Sequence, residues 1–105
     1  MKIATVIIDD DIDSRLVLNN YISNNCPDII IAGEAGSVEE SIKLIKKTNA
    51  DFLLLDISMP DGSGFDLLRQ LPERQFEVIF ITAYDKFAIE AFKFSAIDYL
   101  LKPIA

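Results

Sequence analysis

Apolar residues along the chain gather in short unbroken runs, and between these runs they recur every three or four positions. The runs lie at Ile3 to Ile8, Ile29 to Ala32, Phe52 to Leu55, Val78 to Ile81 and Ile97 to Leu101, several of them rich in Ile and Val. Unbroken apolar stretches of this length read as strands buried on both faces of a mostly parallel sheet, because a solvated face would impose alternation. The intervening segments Asp13 to Asn25, Ser37 to Lys47, Gly64 to Leu71 and Asp85 to Phe94 predict helices.

Each helix has local support. The first carries Leu16, Tyr21 and Ile22 and stops before Pro27. The second opens on Ser37 with Glu40 three residues later, a capping-box pattern, and sets Val38, Ile42 and Ile45 on one face. Phe65, Leu68 and Leu71 give the third an apolar stripe ending at Pro72, and Phe87, Ala88, Ala91 and Phe92 do the same for the fourth. Strict alternation with short connections implies right-handed crossovers. The expected fold is therefore α/β, a doubly wound five-stranded parallel sheet in the flavodoxin-like order 2-1-3-4-5.

At 105 residues, half of them hydrophobic, the chain suits one small domain with a single core, without internal repeats or linkers. The excess of 17 acidic over 10 basic residues, net charge -7, opposes direct attraction to nucleic acid or an anionic membrane. The apolar run at the start is cut by acids after Ile8, too early for a signal segment or a membrane span. Cys26 stands alone and no histidine is present, which excludes an internal disulfide, a cysteine zinc cluster and a histidine base, and fits a cytoplasmic setting. Chemistry must come from carboxylates, hydroxyls and lysines.

In an open α/β sheet ligands bind beyond the carboxyl ends of the strands. Those ends carry Asp9, Asp10 and Asp11 after the first strand, Asp56 after the third, Thr82 after the fourth, and Lys102 followed by Pro103 after the fifth. Carboxylates brought this close repel one another unless one is protonated or a cation neutralises them, and an all-oxygen set without His or Cys points to Mg²⁺ or a similar hard cation. Such a site can make a carboxylate the nucleophile that holds an acyl phosphate, with the metal and Lys102 balancing charge and Thr82 offering a hydrogen bond. Taken singly, each residue has an ordinary reading: Asp9 to Asp11 as a polar turn and helix cap, Asp56 as a helix-start acid, Thr82 as a strand-end hydroxyl, Lys102 as a solvated cation.

Four ordered motifs carry a resemblance: Val6-Ile7-Ile8-Asp9-Asp10-Asp11, Leu54 through Gly64 with Asp56 and Met59-Pro60, Ile81-Thr82-Ala83, and Asp98-Tyr99-Leu100-Leu101-Lys102-Pro103. The chain resembles response regulator receiver domains of bacterial two-component systems over nearly its whole length. The resemblance implies that Asp56 accepts phosphate from a sensor histidine kinase, and that Asp10 and Asp56 hold Mg²⁺ with Asp9 assisting and the Ser58 carbonyl completing the set. It further implies that Lys102 pairs with the phosphorylated acid and that Thr82 and Tyr99 form the switch. The runs Ala83 to Phe92 and Ile97 to Ile104 look like receivers attached to LytTR-type DNA-binding domains, which would make the output transcription regulation.

Two departures matter. Ser58 and Tyr84 occupy the positions two past the acceptor Asp and two past the Thr, which in this family tune hydrolysis of the acyl phosphate; the bulk of Tyr84 predicts a shielded, longer-lived phosphoryl group. The chain stops at Ala105, where the family's fifth helix would start, so one sheet face is expected to lack cover and to favour a homodimer or segment-exchanged oligomer. A haloacid dehalogenase-like phosphotransferase is a competing reading, but Ser58 stands where such enzymes have a second Asp. A flavodoxin-type nucleotide module lacks its glycine-rich loop after the first strand, since Gly33 and Gly36 lie around the second. A pseudo-receiver that only mediates contacts is the third alternative.

Overall fold

The computed structural model describes residues 1–104. Five parallel strands, β1 (Ile3–Ile8), β2 (Ile29–Ala35), β3 (Phe52–Leu55), β6 (Glu77–Thr82) and β7 (Asp98–Leu101), form one sheet in the order β2-β1-β3-β6-β7. This is the predicted doubly wound, flavodoxin-like order. Helices α1 (Ile12–Asn25), α2 (Val38–Lys47), α3 (Gly64–Arg69) and α4 (Ala88–Lys93) fill the crossovers, and a two-residue hairpin, β4 (Ser58–Met59) with β5 (Gly62–Ser63), follows β3.

The central strands are apolar because both faces are covered. Val6, Ile8, Leu53, Leu55, Val78 and Phe80 project to one side, where Val38 of α2, Phe65, Leu67 and Leu68 of α3 and Ala91 of α4 meet them. Ile7 and Ile81 project to the other and pack on Leu18 and Ile22 of α1. Each fully buried Leu, Ile or Phe here contributes roughly 1.5–3 kcal/mol, so the sheet interior supplies most of the stability. Among the described residues only α1 covers the second face. Leu54 and Ile79 are half-buried there, and an open apolar groove of about 200 Å³ runs between Val17, Leu18, Ile81 and Ile104.

Several boundaries differ from the sequence reading. The edge strand β2 continues through Gly33 and Glu34 to Ala35, because an edge strand leaves alternate side chains in water and needs no apolar run. In α1, Leu16 and Tyr21 face solvent at 57% and 39% exposure, and Leu18 and Ile22 take the core side. Helix α4 starts three residues later than expected; Phe87 and Phe94 pack on the core at its ends and Phe92 is exposed. Leu71 joins the core from beyond the end of α3.

The caps also redistribute. Ser37 Oγ accepts from the Glu40 N–H at 3.1 Å as expected, but Glu40 does not close the box; the Asp61 carboxylate instead takes the Val38 and Glu39 N–H groups at 2.7 and 3.0 Å. A full capping box stands unpredicted at Ser63 and Asp66. Gly62, between Asp61 and Ser63, holds a φ of +150°, a conformation that a side chain would strain.

Candidate functional site

The sheet ladder continues one residue past the strands and sets the acids side by side. Asp9 N–H donates to the Ala35 carbonyl at 3.0 Å, and Asp56 N–H donates to the Ile8 carbonyl at 2.9 Å. Asp9 follows β1 and Asp56 follows β3, which pair directly, so the two acids share a rim. On the far side, Lys102 N–H donates to the Thr82 carbonyl at 2.9 Å, which brings the end of β7 beside β6. The Lys102–Pro103 peptide is cis.

One carboxylate oxygen each from Asp9, Asp10 and Asp56 lies within 4.8 Å of the others. Asp9 and Asp56 are buried, Asp10 is exposed. At an effective dielectric of about 20, two such charges 4 Å apart cost about 4 kcal/mol, which a retained proton or a nearby cation relieves. Lys102 supplies a cation: its Nζ stands 2.8 Å from Asp9 Oδ2 and 2.9 Å from Asp56 Oδ2. The remaining oxygens are held by backbone, with Asp11 N–H on Asp9 Oδ1 at 2.9 Å and Ile57 N–H on Asp56 Oδ1 at 2.6 Å.

Burial pushes the Asp9 carboxyl above its ordinary range, against the hydrogen bonds from Lys102 and the Asp11 N–H; the nearby Asp56 charge pushes it further up. Burial also disfavours the Lys102 ammonium, but the hydrogen bonds it donates to Asp9 and Asp56 outweigh it and hold the lysine above its usual value. The donor set is hard and anionic, with three acids against one ammonium, and it fits a Mg²⁺-like cation by charge and chemistry. Asp9, Asp10 and Asp56 are the residues whose carboxylates could hold it. Ser58 opens the hairpin two residues past Asp56.

The acidic triplet divides its labour. Asp11 is the N-cap of α1, accepting from the Asp13 N–H at 2.9 Å and the Ser14 hydroxyl at 3.3 Å, which leaves Asp9 and Asp10 to the cluster. Thr82 is fully buried at the end of β6. Its hydroxyl is directed to its own loop, where it accepts from the Tyr84 N–H at 3.4 Å. The Tyr84 carbonyl in turn accepts from the Tyr99 hydroxyl. Tyr99 is half-buried against Phe80, and that burial raises its phenol above the ordinary range. Thr82 and Tyr99 are therefore joined through the backbone of Tyr84.

Two residues that the sequence reading passed over belong to the site. Gly64 brings the start of α3 against Asp56: a Cβ there would lie 2.5 Å from the Asp56 carbonyl oxygen. Its position at the end of the Met59-Pro60 motif was the available signal. Arg15 donates to the Asp9 carbonyl at 2.5 Å, a contact for which a helix-surface arginine gives no sequence signal.

Residues 5–105 match the response regulator receiver domain family. The chain is 40% identical over 103 residues to an uncharacterised response regulatory protein of Vibrio cholerae, and 41% identical over 103 residues to the transcriptional regulatory protein BtsR of Escherichia coli K12. Both alignments cover 97% of this chain and 43% of the relative, so the chain spans less than half the length of these curated relatives. The response regulatory domain of mrkE from Klebsiella pneumoniae superposes with a TM-score of 0.89 at 27% identity, over 98% of this chain and 85% of that one. The REC domain of AraT from Geobacillus stearothermophilus does so with a TM-score of 0.86 at 34% identity, over 98% and 83%. No described helix is long and apolar enough to cross a membrane. By sequence and by fold, the chain belongs to the response regulator receiver domains.

Proposed function

We propose that this domain is a phosphoacceptor in which Asp56 takes a phosphoryl group from the phosphohistidine of a sensor histidine kinase. The observation that carries the reading is the placement of a nearly buried Asp56 carboxylate 2.9 Å from Lys102, with the Asp9 and Asp10 carboxylates beside it. An Asp56 oxygen attacks phosphorus, the P–N bond to the donor imidazole breaks with its electron pair, and the imidazole leaves protonated. Lys102 neutralises charge that gathers on the phosphoryl oxygens, and the rigid rim holds the nucleophile in place. When bound, Mg²⁺ supplies the further positive charge that the acid cluster lacks; Asp10, Asp56, Asp9 and the Ser58 carbonyl are its proposed ligands. The domain thereby catalyses its own modification and turns over no external substrate.

The switch assigned to Thr82 and Tyr99 gains support from their link through Tyr84. A Thr82 hydroxyl drawn toward a phosphoryl group on Asp56 gives up the Tyr84 N–H, and the Tyr99 hydroxyl, bonded to the Tyr84 carbonyl, senses the next peptide along. The output lies outside residues 1–105. The relative BtsR is a transcriptional regulatory protein, which supports transcription regulation as the output, and the LytTR-like runs at Ala83 to Phe92 and Ile97 to Ile104 support a partner domain of LytTR DNA-binding type, acting in the cytoplasm. The apolar groove beside α1 supports self-association of the domain, which sedimentation across a wide concentration range tests.

Incubation with acetyl phosphate and Mg²⁺, followed by intact mass measurement, tests the central reading. A phosphoryl adduct is expected on the wild type, lost without Mg²⁺ and lost in Asp56→Asn. An unmodified wild-type protein would make the domain a contact module with a receiver fold.

A further inference from the structure

Arg15 sits one turn into α1 and reaches the carboxyl end of β1. Its Nη1 donates to the Asp9 carbonyl at 2.5 Å, and its Nε pairs with Glu34 Oε1 on β2 at 3.1 Å. Asn19, one turn further along α1, holds the second Glu34 oxygen at 2.7 Å. The Arg15 side chain keeps only 19% of its exposure. Gly36 leaves room for it, since a Cβ there would lie 3.1 Å from Nη1.

The Asp9 carbonyl belongs to the peptide that joins Asp9 to Asp10. The Asp9 N–H is fixed by the sheet and its carboxylate by Asp11 and Lys102, but those bonds do not restrain this carbonyl. Its rotation would swing the exposed Asp10 away from Asp9 and Asp56. A free cation at this point would also oppose a second one, and Glu34 removes that penalty by pairing with the guanidinium.

We infer that Arg15 is a positioning residue for the cation site: it anchors the Asp9–Asp10 peptide so that the Asp10 carboxylate stays in register with Asp9 and Asp56, while Glu34 cancels its charge. The inference rests on the phosphoacceptor reading, in which these acids hold Mg²⁺. Outer contacts of this kind typically govern metal affinity by 10-fold or more, roughly.

The test is a Mg²⁺ titration followed by amide chemical shifts, without phosphodonor, on wild type, Arg15→Ala, Arg15→Lys and Glu34→Gln, with urea unfolding in parallel. Arg15→Ala is expected to weaken Mg²⁺ binding about tenfold. Arg15→Lys, which keeps the charge but cannot span both partners, is expected to lose less, and it decides the matter if Arg15→Ala does not fold. Glu34→Gln exposes an unpaired guanidinium, so its weaker binding should recover as ionic strength rises. Wild-type affinity in the Arg15 variants, with or without a loss of stability, overturns the anchoring role. Wild-type affinity in Glu34→Gln overturns the charge-cancelling role. A wild-type domain that binds no Mg²⁺ instead overturns the phosphoacceptor reading beneath both.

Discussion

Lys102 and Asp56 stand 46 residues apart in the chain, yet the Lys102 ammonium donates to Asp56 Oδ2 at 2.9 Å. The same ammonium reaches Asp9 at 2.8 Å, so one cation bridges the ends of β1 and β3 from the end of β7. The site is thereby held together by an internal counter-ion that remains outnumbered by the acids around it. That imbalance leaves net negative charge at the rim, which would favour a second cation.

Removing the bridge should expose the imbalance. Lys102→Met is expected to lose about 2 kcal/mol at neutral pH without divalent cation, because Asp9 and Asp56 are left facing each other; 22% exposure of Lys102 keeps the loss below that of a fully buried pair. The folded state raises the lysine, so its contribution is complete below the unfolded lysine value and is lost as pH rises through the higher folded one. Urea unfolding of both proteins across pH should therefore show curves that converge at the alkaline end. Equal stabilities at neutral pH would remove Lys102 from this role.

Asp9 is shifted in the same direction, but in the acid range, so at neutral pH its shift already acts in full against the fold. Burial raises its carboxyl, so the folded state binds this proton more tightly than the unfolded chain, and stability falls as pH climbs from the unfolded value through the folded one. Asp9→Asn should abolish that fall and be more stable than wild type at neutral pH without Mg²⁺. Adding Mg²⁺ should reverse the order, since the wild type gains binding energy that the variant has lost. Melting temperatures of both proteins with and without Mg²⁺ check this, and an Asp9→Asn protein that is less stable without metal contradicts it.

Much of this site was legible in the sequence because its residues terminate buried runs. Asp9, Asp56 and Thr82 follow unbroken apolar stretches, and right-handed crossovers leave those ends on one rim. The inward face of α1 was not legible, because Ile12, Leu16, Val17, Leu18, Tyr21 and Ile22 distribute apolar character around much of the helix and periodicity cannot choose among them. Asp61 capping α2 across 23 residues, and Arg15 on the Asp9 carbonyl, are tertiary contacts of residues that look like solvated charges in one dimension. The β4–β5 hairpin is only two residues a side, too short to leave a pattern of its own.

Gly64 converts one of the missed features into a stability test. The atom that a Cβ would strike, the Asp56 carbonyl oxygen at 2.5 Å, is backbone, and Leu55 and Phe80 close the other sides at 3.0 and 3.2 Å. Gly64→Ala must therefore push α3 away from Asp56, at a cost of about 2 kcal/mol and a fall in melting temperature on the order of 10 °C. The displacement should also reduce phosphoryl adduct formation at temperatures where the variant is folded. Thermal unfolding and adduct yield both equal to wild type would show that the rim accommodates the methyl group.

Tyr84 offers a test of timing. Its backbone joins Thr82 to Tyr99, and its ring stands edge-on to Phe87 with centroids 5.9 Å apart while remaining 45% exposed. Tyr84 and Ser58 line one open pocket together with Ile57, the residue that follows Asp56. A ring of this bulk two residues past Thr82 would keep water from a phosphoryl group on Asp56, whereas the small Ser58 would leave its own side open. Tyr84→Ala is therefore expected to shorten the phosphoryl lifetime severalfold, and Tyr84→Phe, which keeps the ring, to preserve it. Decay of the acetyl phosphate-derived adduct, followed by intact mass after removal of the donor, measures both. An unchanged or slower decay in Tyr84→Ala would mean that the ring does not gate water, and a fast decay in Tyr84→Phe would move the effect from the ring to its hydroxyl.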